Sequence, residues 1–182
     1  MATMLQRMVV VLFALAGVTG AGAKQYLTIE EALKQIYPQA DQFERKVELY
    51  GAADRAAIKE QTGVEVTVRG NRYWIAKVKD RVLGVVVMDF VMGKHELIDY
   101  AVGVSKDGAV TGIEILEYRE SYGYEIRYDK WREQFAGKTR ASRLRLNDDI
   151  DGITGATMSC RNVTDGVKRV LAIFERHIKT RL

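Results

Sequence analysis

The sequence is poor in the residues that build disulfide frameworks and metal centres. Among 182 residues it has one proline, one cysteine, Cys160, and two histidines, His95 and His177. A single thiol excludes an intramolecular disulfide framework, a cysteine-rich zinc site and any cluster that needs four thiolates from this chain. Two histidines supply few metal ligands or proton-transfer groups, so metallohydrolase chemistry is disfavoured.

The chain also lacks a strong excess of one charge. It carries 28 basic and 24 acidic residues, and 47% of its residues are hydrophobic. This composition excludes a disordered chain, a collagen-like chain and a polytopic membrane protein. A net charge of +4 from interspersed charges gives little support to nucleic-acid binding, so no nucleic-acid partner is expected.

The first 23 residues have the pattern of an export signal. Arg7 precedes an apolar run from Met8 to Val18, and Ala21 and Ala23 have the spacing of a signal-peptide cleavage site. We therefore expect residues 1–23 to be a signal peptide, with an uncleaved membrane anchor as the alternative. Either reading predicts an extracytoplasmic location, in the periplasm or on the outer face of the cytoplasmic membrane.

Residues 24–63 are predicted to form a small amino-terminal subdomain. Thr28 and Glu31 have the spacing of a capping box, which predicts a helix over 28–37 that ends before Pro38. A strand and a second short helix, closed by Gly63, are expected to follow over residues 43–50 and 52–61.

Hydrophobic residues alternate with a period of two from Val64 onward, which predicts five strands joined by turns. The strands are predicted over residues 64–70, 72–79, 82–91, 95–105 and 109–118. A short helix is expected over 128–135, and apolar residues at helical spacing from Val163 to Ile178 predict a long amphipathic helix. The predicted class for the main domain, residues 64–182, is therefore α+β, an antiparallel meander covered by the C-terminal helix and short helices.

The segment from Asp151 to Ser159, with the sequence DGITGATMS, directly precedes this last helix. Gly155 and Ala156 are small enough for a bulky group to approach the backbone, and the free amides of a helix start favour a phosphate. The residues by themselves leave two interpretations open. The segment is either a phosphate site or a helix cap made by Thr157 or Ser159.

Two neighbouring stretches also allow two interpretations each. A tyrosine-rich stretch can stack on a flat ring or simply pack in the core, and it comprises Tyr118, Tyr122, Tyr124 and Tyr128 with Trp131. A basic run is more typical of a solvated face than of a phosphate site, and it comprises Lys138, Arg140, Arg143 and Arg145. Cys160 is interpreted as a packing residue rather than a redox group.

The string at 151–159 resembles the D-x-x-[ST]-G-A-T signature of the FMN-binding domain family. That family occurs in the C component of the sodium-pumping NADH:quinone reductase and in the G component of the Rnf complex. Three further stretches resemble the family in the same order, namely Gly103 to Leu116, the E-x-x-G loop from Glu120 to Gly123, and the W-x-x-x-F-x-G-K pattern from Trp131 to Lys138. The first 60 residues do not resemble either component.

This resemblance implies a covalently attached flavin. In the family the last threonine of the signature carries FMN through a phosphoester bond, and the matching residue is Thr157. Further cofactor contacts would come from Asp151, Thr154, Gly155, Ala156 and Ser159 in the signature and from Glu120, Tyr122 and Gly123 beside the ring. The resemblance also implies a flavin transferase that uses FAD and a divalent metal for maturation.

The expected function is therefore that of an exported electron-transfer flavoprotein. It would exchange electrons with redox partner proteins, which can be membrane-bound, and would have no catalytic residue or resident metal of its own. The alternative is a module without redox role that binds an anionic ligand noncovalently. A stand-alone flavin reductase would need a substrate site that the sequence does not display.

Overall fold

This computed structural model describes residues 24–182. The helices and strands of this part of the chain follow most of the sequence pattern. The predicted signal peptide, residues 1–23, lies outside the described residues. The strands are β1 (Lys24–Gln25), β2 (Gln42–Leu49), β3 (Gly70–Val78), β4 (Arg81–Met92), β5 (Leu97–Ser105) and β6 (Val110–Tyr118). The α-helices are α1 (Ile29–Ile36), α2 (Ala52–Thr62), α3 (Asp129–Arg132) and α4 (Thr157–Ile173).

The strands form one antiparallel sheet in the order β1-β6-β5-β4-β3-β2. Strands β3 to β6 make the predicted meander, because each follows its neighbour through a short turn. Lys79 and Gly108 adopt the left-handed conformation that two of these turns require, with φ of 52° and 96°. The predicted α+β class with an antiparallel meander is confirmed.

The prediction of a strand over 64–70 is wrong. Both sides of β3 are already paired, with β2 on one side and β4 on the other, so residues 64–69 have no place beside it. This segment instead buries Val66 in the core and lies where Arg169 donates to the carbonyl of Glu65 at 3.1 Å. Its alternating pattern reflects one-sided burial without strand pairing.

Local sequence signals explain where the first two helices begin and end. Thr28 and Glu31 form the predicted capping box, in which the Thr28 amide donates to the Glu31 carboxylate at 2.8 Å. Gly63 closes α2 in the left-handed conformation, with φ of 71°. No helix within residues 24–182 has both the length and the apolar composition needed to cross a bilayer.

The sheet has a large core on one face and a smaller one on the other. The large core lies between the sheet and α4, which continues through a π turn at Phe174–Ile178. The smaller core lies under α1 and contains Leu33, Ile36, Trp74, Val86, Ala101 and Leu116. Strand β2 pairs with β3 along its whole length, so the segment 24–63 shares the sheet. A subdomain boundary at residue 63 stays a prediction.

Candidate functional site

The first turn of α4 forms one wall of an open cavity of about 440 Å³. The signature contributes Gly155, Ala156, Thr157 and Ser159 to this cavity, and the loop after β6 contributes Glu120 and Tyr122. The tertiary structure thus brings together six of the nine residues that the sequence proposed for cofactor binding. Gly123 lies directly behind the cavity wall, and Asp151 and Thr154 lie outside it.

The helix-cap interpretation does not describe the start of α4. Ala156 occupies the N-cap position and makes no side-chain capping bond. Thr157 is the first helical residue, it is exposed, and its hydroxyl has no hydrogen bond within residues 24–182. The amides of Thr157, Met158 and Ser159 likewise have no acceptor in the described part of the chain. A hydroxyl and three free amides therefore converge where the helix dipole favours negative charge.

The loop after β6 fits against this turn through two close approaches. The Tyr118 hydroxyl donates to the carbonyl of Tyr122 and lies 3.2 Å from Oγ of Ser159. Gly123 has a φ of 85°, and a Cβ at this position would lie only 2.6 Å from Cβ of Ala156. Because Gly123 has no side chain and Ala156 has only a methyl group, the loop and the signature can pack closely here.

Glu120 uses its carboxylate to order a neighbouring hairpin. Its Oε1 accepts hydrogen bonds from the backbone amides of His95 and Glu96, the second at 3.0 Å. Burial disfavours the charged carboxylate, but the amides of His95, Glu96 and Lys94 outweigh burial and hold the pKa of Glu120 below its ordinary value. A Cβ at Gly93 would lie 2.6 Å from Oε1, so this glycine leaves room for the carboxylate.

Lys94 and His95 line the cavity, and neither was predicted as a site residue. Gly93 and Lys94 lie between the strands predicted over residues 82–91 and 95–105. The amide nitrogen of Asn162 in α4 donates to the carbonyl of Met92 at 2.6 Å, which holds the β4–β5 hairpin beside the helix start. A basic pair at a hairpin tip is a weak sequence signal, because long-range contacts from Asn162 and Glu120 bring the tip to the site.

Asp151 anchors the signature through its backbone. Its amide donates to Oε1 of Gln134 at 2.7 Å, and its carbonyl accepts from the Trp131 indole at 2.9 Å. Trp131 also contacts Phe135 edge to face, with ring centroids 5.1 Å apart. The aromatic residues of the W-x-x-x-F pattern thereby fix the segment from which the Thr157 turn starts. Thr154 is exposed in that turn.

The remaining predicted aromatic and basic residues lie away from the Thr157 cavity. Tyr124 and Tyr128 contact each other and surround the Arg127 guanidinium, 5.6 and 5.4 Å from their ring centroids. Only Tyr122, 82% exposed, reaches the cavity rim. In the basic run, Lys138 pairs with Asp149 at 3.2 Å and Arg143 with Asp148 at 2.8 Å; these pairs support the solvated-face interpretation.

Cys160 is fully buried one turn into α4. Burial raises the pKa of its thiol, which disfavours the reactive thiolate. This placement agrees with the interpretation of Cys160 as a packing residue.

Residues 93–172 match the family described as FMN-binding domain. This segment of the chain belongs to that family. It begins at the hairpin beside the cavity and ends inside α4, so it contains the Thr157 turn and the E-x-x-G loop. The match supports FMN as the ligand of the domain.

Two relatives of this chain are named as G components of ion-translocating oxidoreductase complexes. The G component of the Na(+)-translocating ferredoxin:NAD(+) oxidoreductase complex of Acetobacterium woodii is 26% identical over 175 residues, which cover 89% of this chain and 83% of that protein. This alignment reaches into the first 60 residues, although these show no resemblance to the family's signature motifs. The G component of the ion-translocating oxidoreductase complex of Aliivibrio fischeri is 34% identical over 87 residues, and this alignment spans only 41% of that protein and 42% of this chain.

Two crystal structures share the fold. NqrC of Shewanella oneidensis matches with a TM-score of 0.54 at 17% identity and covers 78% of this chain and 84% of that one. The C component of the Na(+)-translocating NADH-quinone reductase of Parabacteroides distasonis matches with a TM-score of 0.55 at 14% identity and covers 82% and 83%. At these identities the likeness concerns the fold alone.

Proposed function

We propose that this chain is an exported electron-transfer flavoprotein that carries FMN on Thr157 through a phosphoester bond. The observation that carries the proposal is the exposed, unbonded hydroxyl of Thr157 on the first turn of α4, at the mouth of a cavity within an FMN-binding domain segment. This hydroxyl belongs to the signature at residues 151–159 that resembles the family.

The surroundings of Thr157 suit a phosphate. The free amides of Thr157, Met158 and Ser159 provide donors, and the positive end of the α4 dipole lowers the cost of placing negative charge there. Lys94 adds a flexible cationic side chain to the same cavity. A phosphoester on Thr157 Oγ1 would therefore have both donors and countercharge within the described residues.

Attachment requires a separate flavin transferase with FAD as the donor. An Oγ1–P bond forms as the pyrophosphate P–O bond of FAD breaks, AMP leaves, and the threonine hydroxyl loses its proton. The chain contributes an accessible nucleophilic oxygen on a rigid helix turn. A covalent link would also prevent loss of the flavin outside the cytoplasm.

The cavity suits a carrier rather than a stand-alone enzyme. When bound, the isoalloxazine ring supplies reversible transfer of one or two electrons. The apolar surfaces of Met158 and Tyr122 and the side chains of Lys94 and His95 would contact it. The relatives are named as subunits of ion-translocating oxidoreductase complexes, which supports membrane-bound redox proteins as partners.

The decisive experiment compares Thr157 with Thr180, an exposed threonine outside the signature and the cavity. The full chain is produced and exported in a host that has a flavin transferase, as wild type, Thr157→Val and Thr180→Val. Intact mass and in-gel flavin fluorescence after denaturation are measured for all three. Wild type and Thr180→Val should gain the mass of one FMN less one water and should fluoresce, whereas Thr157→Val should do neither.

Circular dichroism checks that Thr157→Val is folded, and a known flavinylated protein in the same host checks the transferase. Unmodified wild type beside a modified control protein would contradict the covalent link and favour the noncovalent anion-binding module. Modification of Thr157→Val would place the link on another residue. Export is tested separately by the location of the chain and the mass of its amino terminus.

A further inference from the structure

The Glu120 carboxylate is bound to the backbone of the β4–β5 hairpin, one wall of the cavity. We name residues 93–96 of this hairpin the hairpin tip. Oε1 of Glu120 accepts from the amides of His95 and Glu96. A Cβ at Gly93 would lie 2.6 Å from Oε1 and 3.1 Å from Cγ of the same side chain. This oxygen is therefore enclosed by the hairpin tip and is committed to the protein before any ligand enters the cavity.

The other hydrogen bonds of the hairpin tip lie at its base. The side-chain amide of Asn162 donates to the carbonyls of Met92 and Gly93 at 2.6 and 3.4 Å. The Gly93 amide donates to the Glu96 carbonyl at 2.7 Å. In the described part of the chain, the two amides that Glu120 binds have no other acceptor. Removal of this carboxylate would therefore loosen the tip while its base stays attached to α4.

The hairpin tip carries Lys94 into the cavity. Lys94 is exposed, forms no ion pair within residues 24–182, and lines the same cavity as Thr157. Its ammonium is a compact charge on a flexible stem, so the position of its backbone sets the space that the charge can reach. A fixed hairpin tip therefore keeps this cation beside the helix start that suits a phosphate.

The charge of Glu120 by itself opposes an anionic ligand. A carboxylate in the cavity wall repels a phosphate, because like charges raise each other's energy. The acid of the hairpin tip, Glu96, is exposed and does not line the cavity. Positioning and repulsion therefore predict opposite results when Glu120 loses its carboxylate. Loss of positioning weakens the binding of an anionic flavin, whereas loss of repulsion tightens it.

We propose that Glu120 is a positioning residue for the flavin, which binds the hairpin tip and thereby keeps Lys94 in place to neutralise the FMN phosphate. This role differs from the ring contact that the sequence resemblance implies for Glu120. The inference rests on the proposed function for the identity of the ligand. It does not need the covalent bond to Thr157, because free FMN also carries a phosphate.

The FMN affinity of the unmodified full chain separates positioning from repulsion. The chain is produced in a host without a flavin transferase, and FMN binding is titrated by flavin fluorescence. Glu120→Ala should bind FMN about tenfold more weakly than wild type, the loss expected for one charge-assisted contact. Glu120→Gln keeps an oxygen acceptor for the amides and should lose less than about threefold. Glu96→Gln removes a charge from the same hairpin tip and should not weaken binding.

A double-mutant cycle tests whether Glu120 acts through Lys94. Lys94→Gln should weaken FMN binding about tenfold. In the Lys94→Gln background, Glu120→Ala should cost less than about twofold, because the charge that it positions is gone. Riboflavin lacks the phosphate, so its affinity should fall much less than that of FMN in each variant. Circular dichroism checks that all variants are folded.

Amide hydrogen exchange gives a readout that needs no flavin. In Glu120→Ala the amides of His95 and Glu96 should exchange at least about tenfold faster than in wild type, because they lose their acceptor. Glu96→Gln keeps the acceptor and should leave both rates unchanged. Exchange within α4 should be the same in all three proteins.

Several results would overturn the inference. Glu120→Ala that binds FMN as tightly as wild type, or more tightly, would leave repulsion as the only effect of Glu120. Equal losses in the two Lys94 backgrounds, or equal losses for FMN and riboflavin, would mean that Glu120 contacts the flavin itself or supports the whole cavity. Unchanged exchange of the two amides would mean that the hairpin tip does not need the carboxylate.

The proposed function fails by a different result. Exported wild type without attached flavin, beside a modified control protein, would contradict the phosphoester on Thr157, and the cycle with free FMN would still decide the role of Glu120. Unmodified wild type that binds FMN no better than riboflavin would show that Lys94 neutralises no phosphate, and this would overturn the inference.

Discussion

The Tyr118 hydroxyl lies 3.2 Å from Oγ of Ser159, which is 41 positions away in the sequence. This contact joins the end of β6 to the first turn of α4, and the same hydroxyl donates to the carbonyl of Tyr122. Both side chains are buried, so the contact fixes the loop of Tyr122 relative to the turn of Thr157. This polar junction between the two motifs is one of the contacts that fix the site geometry.

Tyr118→Phe should lower the free energy of unfolding by about 1–3 kcal/mol, because it leaves the Tyr122 carbonyl without its donor and the Ser159 hydroxyl without its hydrogen-bond partner. A double-mutant cycle with Ser159→Ala, measured by urea unfolding, should give a coupling energy of about 0.5 kcal/mol or more. The same variants should carry less flavin than wild type after export. Strictly additive effects of the two substitutions would contradict the proposed junction.

Gly123→Ala should destabilise the protein more than Gly155→Ala. Both glycines have a φ of 85°, so each alanine costs about 1–2 kcal/mol of backbone strain. At Gly155 the added Cβ meets nothing within 4 Å, whereas at Gly123 it collides with Ala156. The collision should add about 1–3 kcal/mol and displace the loop. Equal unfolding midpoints in urea would show that the two loops do not pack as described.

The contribution of Glu120 to stability should disappear in acid. Its pKa is lowered in the folded protein, so the unfolded state takes up the proton first as the pH falls. The stabilisation is complete above the unfolded carboxyl pKa of about 4.3 and is lost as the pH falls through the lower folded value. The stability difference between wild type and Glu120→Gln should therefore shrink between about pH 5 and pH 3. A difference that stays constant over this range in urea titrations would contradict the assignment.

Asp89→Asn should be strongly destabilising. Asp89 is fully buried and accepts from Arg169 at 2.6 Å and from the Tyr100 hydroxyl at 2.7 Å. The substitution leaves the Arg169 charge buried without its partner, which costs about 3–5 kcal/mol. Glu175→Gln breaks the exposed pair with Lys179 and should cost less than about 1 kcal/mol. Similar unfolding midpoints for the two variants would show that the buried network contributes little.

The strongest local patterns predicted most of the fold. The capping box at Thr28, the glycine after α2 and the apolar spacing of α4 are signals carried by neighbouring residues, and each appears in the structure where it was expected. The segment 64–70 has a similar alternation but no strand, because β2 and β4 already occupy both sides of β3. Strand pairing is decided by edge availability, which a local pattern does not contain.

The sequence by itself determined the α+β class, the long last helix and the signature that surrounds Thr157, because helix starts and small-residue turns are encoded by adjacent side chains. Only the tertiary structure brought Lys94 and His95 to the cavity, through the bond from Asn162 to Met92. It also decided that the Glu120 carboxylate binds the hairpin amides. These relationships join residues far apart in the chain, and close packing and hydrogen bonding fix them only once the sheet and α4 have assembled.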